Sequence, residues 1–146
     1  MTAERERIGK QEVWFDDISG FIYLIHTGTL DADEARVLNE RVASYVNTHT
    51  PGEPPFMLVD NRRATGFTGE ARKIMSSAPT LRDEVYVALF GASFAIRAVL
   101  NLLFRAVTLS SSSKSVVTAL PTEAEAREWL TEQRRLFRTR KAKSVA

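Results

Sequence analysis

The segment Phe56-Met57-Leu58-Val59 is an apolar run with no polar residue at alternate positions. A strand with one face in water alternates apolar and polar side chains; a strand without alternation is buried on both faces, as in the middle of a parallel sheet covered by helices on each side. The run is preceded by an amphipathic stretch, "LDADEARVLNERVASYVNTH", in which Ala35, Leu38, Val42, Tyr45 and Val46 recur at helical spacing. Asp31 and Glu34 stand three apart at its start, close to a capping box, and Pro51-Gly52 stops it. A helix leading into a doubly buried strand restricts the chain to α/β architectures.

The rest of the sequence extends that alternation. "EVWFD" (12–16) and "FIYLIHT" (21–27) are strand-like and a four-residue connection makes them an antiparallel hairpin. After the buried strand "PFMLVD", ending at Asp60, a helix is predicted from about Thr68 to Ala78, stopped by Pro79. "EVYVALFG" is a strand, Ser93 begins a helix to about Val107, "SSSSKS" is a loop, "SVVTAL" a last strand and "PTEAEAREWLTEQRRLF" a last helix, with Thr122 and Glu125 in capping-box spacing. The order is β-β-α-β-α-β-α-β-α. It predicts a mainly parallel five-stranded sheet with an antiparallel N-terminal edge hairpin and four helices, joined by right-handed crossovers. The chain has 146 residues, enough for one domain. Residues 1–11 read as a disordered lead, 12–133 as the domain and 134–146 as a basic tail.

Composition narrows the chemistry. Cysteine is absent, which removes disulfides, thiolate metal sites and cysteine nucleophiles and fits a reducing, cytoplasmic setting. The N-terminus has no apolar core of a secretory signal, and the longest apolar stretch is broken by Arg97, Asn101 and Arg105, so no membrane span is expected. Net charge is +2, but Arg134, Arg135, Arg138, Arg140, Lys141 and Lys143 sit together without an acid and leave the remainder at −4. Such a tail serves as a solvated end or as a contact for an anionic surface. A nucleic-acid site would need interleaved aromatics or a basic folded surface, and Phe137 alone does not supply them.

The order of elements, the strand ending in Asp60 with a polar loop and helix after it, and the closing "TEAEAREWL" helix resemble the STAS domain, the sulfate-transporter and anti-sigma-factor-antagonist fold. The resemblance covers roughly residues 12–131 and is strongest to stand-alone bacterial STAS-like proteins that border on the lipid-binding CRAL-TRIO group. It implies a non-enzymatic regulatory or protein-interaction module without a cofactor. The CRAL-TRIO side of the kinship implies instead a carrier of a small molecule or lipid, with an apolar pocket near the helix 93–107.

Three features are candidate sites. The segment after the central strand offers Asp60, Arg62, Arg63, Thr65, Gly66, Thr68 and Gly69. Two glycines, two arginines and a helix start suit an anion, whereas a solvated turn with Asp60 bonding nearby amides needs no ligand. STAS-type anti-sigma-factor antagonists carry a phosphorylatable serine in an Asp-Ser-Ser-Gly stretch here; this chain reads "GFTGEAR", so Thr68 is either a phosphoacceptor or simply an N-cap. "FGASFA" has the layout of a hydrolase nucleophile elbow around Ser93, but no histidine or aspartate follows it; His26 and His49 are both upstream, and Ser93 reads as an N-cap. His26 is placed at the end of its strand, and no ligand-spaced metal set is found. Third, the helix 93–107 has one narrow polar stripe, Arg97, Asn101 and Arg105, and is otherwise apolar, more than covering one sheet face requires. Phe94, Leu100, Leu103, Phe104 and Val107 are therefore candidates for a homodimer interface or for contact with another protein or an apolar ligand, unless the helix lies between two neighbouring helices of its own domain.

Overall fold

A computed structural model describes residues 4–77, 84–110 and 115–145, with the side chains of 103, 104, 106–110 and 145 outside that description. The chain is α/β. Six strands, β1 (Glu6–Ile8), β2 (Gln11–Asp16), β3 (Phe21–Leu30), β4 (Phe56–Phe67), β5 (Tyr86–Phe90) and β6 (Val116–Leu120), lie in one sheet in sequence order. β1, β2 and β3 are antiparallel neighbours; β3 to β6 are parallel. Four helices join or follow them: α1 (Ala32–His49), α2 (Gly69–Ser76), α3 (Phe94–Ser110) and α4 (Glu123–Val145). The expected stop of α2 at Ala78-Pro79 and most of the serine loop (111–114) lie outside the described residues.

The sheet has six strands rather than five because residues 6–8, expected in a disordered lead, pair with Gln11–Val13. Gly9 makes the turn with φ +58°, and a methyl there would strike the Glu34 carboxylate. Ile8 joins the core beside Val13 and Leu38, which repays ordering a short, charged edge strand.

Period-2 alternation divides the side chains between two layers. Ile22, Met57, Val59, Val87 and Leu89 face α1, α2 and α3, together with Leu38, Val42, Ile96 and Leu100. Trp14, Phe21, Tyr23, Phe56, Leu58, Tyr86 and Phe90 face the other way, under Ala126 and Leu130 of α4. A single helix is too narrow for that aromatic face, and cationic side chains finish the cover. Arg134 lies over Phe21 at 4.6 Å and Arg127 over Tyr23 at 5.5 Å.

The last helix corrects the reading of residues 134–146 as a tail. α4 runs to Val145 without a break, as a segment rich in Arg and Lys with no glycine or proline permits. Its basic side chains hold it to the body: Arg134 donates to the Ser19 carbonyl, Arg138 pairs with Glu53 at 3.0 Å, Arg140 donates to the Tyr86 hydroxyl at 2.8 Å and Lys141 to the Gly52 carbonyl at 3.2 Å.

Candidate functional site

The predicted loop after the central strand is strand. β4 continues through Asn61-Arg62-Arg63-Ala64-Thr65-Gly66 to Phe67, and pairs with β3 up to Leu30↔Phe67 through two register shifts. β5 stops at Phe90 opposite Asp60, so β3 and β4 project beyond it as a two-stranded arm whose outer residues tolerate polar side chains. The candidate residues are consequently distributed along the arm. Asp60, 5% exposed, accepts the Arg62 backbone N–H at 3.0 Å and a two-pronged contact from the Arg62 guanidinium at 2.7–3.2 Å. Burial raises the Asp60 pKa, but the Arg62 hydrogen bonds outweigh it and the carboxyl ends below its ordinary value. Arg62 is thus committed to Asp60, and its aliphatic stem fills the space left by Gly91, whose φ is +71°. Thr65 and Thr29 share a hydroxyl hydrogen bond of 3.1 Å, and Arg63 is exposed.

Thr68 caps α2, accepting the Ala71 N–H at 3.1 Å. The open hollow beside it is bounded by Asp31, Asp33, Glu70, Gly69 and Arg36. Three carboxylates around one arginine disfavour a further anion at these two helix starts. Ser93 likewise caps α3, accepting the Ile96 N–H at 3.3 Å. Among the described residues no group of three His, Asp or Glu could hold a metal ion.

α3 divides its apolar surface. Ile96 and Leu100 are 3% and 4% exposed and belong to the core, so Leu100 is not an outward residue as the interface reading had it. Phe94 and Leu102 are 82% and 64% exposed. The side chains of Leu103, Phe104 and Val107 lie outside the described residues. The predicted polar stripe, Arg97, Asn101 and Arg105, borders an open groove of about 570 Å³ whose other wall is Val116–Ala119 of the edge strand β6.

The polar feature that sequence reasoning misplaced is His26. It stands in the middle of β3, 4% exposed, not at the strand's end. Its Nδ1 is 3.3 Å from Asn61 Oδ1 on β4, and Phe67 packs against the ring at 4.8 Å. Burial lowers the His26 pKa, opposed by the Asn61 contact and the nearby Gly66 carbonyl, so the ring is neutral at pH 7. Nε2 makes no hydrogen bond of good geometry. Beside it lies a narrow, partly open cavity of about 70 Å³ beneath the three helices, lined by Leu30, Val59, Phe67, Met75 and Leu100 among others. A second of about 50 Å³ abuts it, and the two share Leu24, Leu30, Leu38, Met57 and Met75. The signal was present in the sequence: Ile22, Leu24 and His26 stand at alternate positions, which puts the imidazole on the apolar face.

Gln11 closes the polar end of this cavity. It accepts the Thr27 N–H at 2.8 Å and donates to the Thr27 carbonyl at 3.0 Å and to Glu34 at 3.2 Å. Glu34, 5% exposed, completes the predicted capping box with Asp31 and also receives the Lys10 N–H at 2.7 Å.

No family model matches the chain, and comparison with curated proteins finds no significant match. No helix among the described residues is long and apolar enough to cross a membrane.

Proposed function

We propose that the chain is a non-catalytic, cytoplasmic STAS-like interaction module that self-associates through the outer face of α3. The observation that carries this reading is the exposure of Phe94 and Leu102, 82% and 64%, on a helix that already buries Ile96 and Leu100. Side chains this large in water mark contact surfaces when they share a face, and Phe94, Ala98 and Leu102 are exposed on one side of α3, beside the polar stripe of Arg97, Asn101 and Arg105. A helix face meeting its own copy across a two-fold axis is the simplest closed assembly. Asp60 and Arg62 satisfy each other and Thr68 is a cap, which weakens the competing reading of the segment 60–69 as an anion site. The regulatory role follows from the STAS resemblance and is part of the proposal.

The test is the mass in solution of the wild type and of Phe94→Glu and Leu102→Glu. The wild type is expected to be a dimer and both variants folded monomers by circular dichroism. A wild type that is monomeric at high micromolar concentration overturns self-association. A second reading, a binder of a small apolar molecule, is favoured by the apolar cavity beneath α3.

A further inference from the structure

We propose that the cavity between β3, β4 and the three helices is a binding site for a small neutral molecule with an apolar body and one hydroxyl or N–H donor, held by Nε2 of His26. This inference is independent of self-association. It rests on the unsatisfied nitrogen, on the chemistry of the lining and on the volume.

The nitrogen comes first. Asn61 places its amide nitrogen toward the Val59 carbonyl at 3.5 Å, which turns its oxygen to His26 Nδ1 at 3.3 Å. With Asn61 in this orientation, Nδ1 carries the proton of the neutral ring and Nε2 the lone pair. A buried acceptor without a donor is costly, and among the described residues none donates to Nε2. Both Gln11 N–H groups are spent on Thr27 and Glu34, and the Gly66 carbonyl is itself an acceptor. A ligand donor satisfies Nε2.

The lining sets the rest of the molecule. Among the described residues the wall apart from Gln11, His26 and Asn61 is aliphatic, aromatic or thioether, with no ionised side chain. A carboxylate, phosphate or ammonium would lose its hydration without a partner, so charged ligands are excluded. Two abutting spaces of about 70 and 50 Å³ approach the ~150 Å³ of a dry apolar cavity that accepts benzene. Met57 and Met75 stand in the wall common to both, and their unbranched thioethers can rearrange to join them. A single-ring phenol or a short-chain alcohol matches this size and polarity.

The experiment uses the whole chain with phenol, benzene and benzoate as probes. Thermal unfolding reports binding, and the 15N resonances of the His26 ring report whether Nε2 accepts a hydrogen bond. Phenol at tenfold above its Kd is expected to raise Tm by about 4 °C and to move the Nε2 resonance toward the hydrogen-bonded position; benzoate should do neither. Benzene should bind more weakly than phenol and leave Nε2 unmoved. His26→Leu should weaken phenol at least about tenfold, the loss of one buried hydrogen bond, with little change for benzene. Leu38→Phe, which fills the shared space, should abolish both. Should a variant not fold, the wild-type Nε2 resonance decides alone. No response of Nε2 to phenol, or equal affinity for phenol and benzene, overturns the proposal.

Discussion

Replacing Glu34 by glutamine removes one charge and keeps the shape, and the structure fixes what that costs. One carboxylate oxygen accepts Lys10 N–H at 2.7 Å and Gln11 Nε2 at 3.2 Å; the other accepts Asp31 N–H at 3.0 Å and Lys10 Nζ at 3.1 Å. In glutamine one of those oxygens becomes an NH2 that faces two donors, so two of the four contacts are lost whichever way it turns. The pKa gives a second route to the magnitude. Burial raises it, but the donors from Lys10, Asp31 and Gln11 outweigh burial and bring it from an ordinary 4.5 to about 2. At 1.36 kcal/mol per unit, the charged form is favoured on folding by about 3 kcal/mol. A depressed carboxyl pKa stabilises the fold above the unfolded value and ceases to do so as pH falls through the folded value. Glu34→Gln should therefore cost about 3 kcal/mol near pH 7, with the difference from wild type shrinking between about pH 5 and pH 2. Urea unfolding followed by circular dichroism, at several pH values across that range, measures it. A cost below about 1 kcal/mol near neutral pH, or a difference that does not change with pH, would refute the reasoning.

Two further predictions concern helix ends. Thr68→Ala should cost about 1 kcal/mol through loss of the α2 cap, while Thr68→Asp is tolerated as a cap; equal stability of Thr68→Ala and wild type in urea would remove the cap from the account. Truncation after Phe137 removes the contacts of Arg138, Arg140 and Lys141 with Glu53, Tyr86 and Gly52. It should lower Tm by about 2–4 °C, as the loss of roughly 1 kcal/mol does in a domain of this size; an unchanged Tm would mean that the end of α4 is not held by the body.

The alternation of elements was legible because each carries a local signal. The caps Asp31, Thr68 and Ser93 are recognisable from side-chain chemistry alone, and all three make the expected hydrogen bond. What escaped depends on partners far away in sequence. Asp60-Asn61-Arg62-Arg63 has turn composition, and nothing local says that Thr27–Leu30 lies alongside to keep the segment extended. Glu6-Arg7-Ile8 is too short and too charged to read as a strand without Val13 and Glu12 opposite. The end of α4 is the opposite case. Its residues are good helix formers, and clustered positive charge suggested a solvated tail although no helix breaker ended the pattern. The division of α3 into a buried and an exposed face was only half visible: its apolar surplus can be counted, but not which residues meet the sheet.

His26 joins stability to the proposed binding. A buried nitrogen without a partner costs about 1–3 kcal/mol, and an aliphatic side chain at position 26 would suit the surrounding Leu24, Val59 and Leu100 better. If the imidazole served packing alone, Nε2 would be a liability with no return. His26→Leu removes the unpaired Nε2 but leaves the buried Asn61 oxygen without its partner, so the two costs offset and stability without ligand should change little, while the stabilisation that phenol gives is lost. That combination, a substitution that leaves the free protein nearly unchanged and weakens the bound one, separates a binding role from a packing role. The connection reaches α1 as well. Gln11 at the polar end of the cavity donates to Glu34, which caps α1 and anchors the Lys10 backbone. A ligand that orders the polar end therefore acts on the start of α1 and the first hairpin through hydrogen bonds already present. The largest ligand-induced amide shifts should accordingly extend from β3 to Lys10 and Glu34 and not to the Asp60–Arg62 pair, which faces the opposite layer under α4.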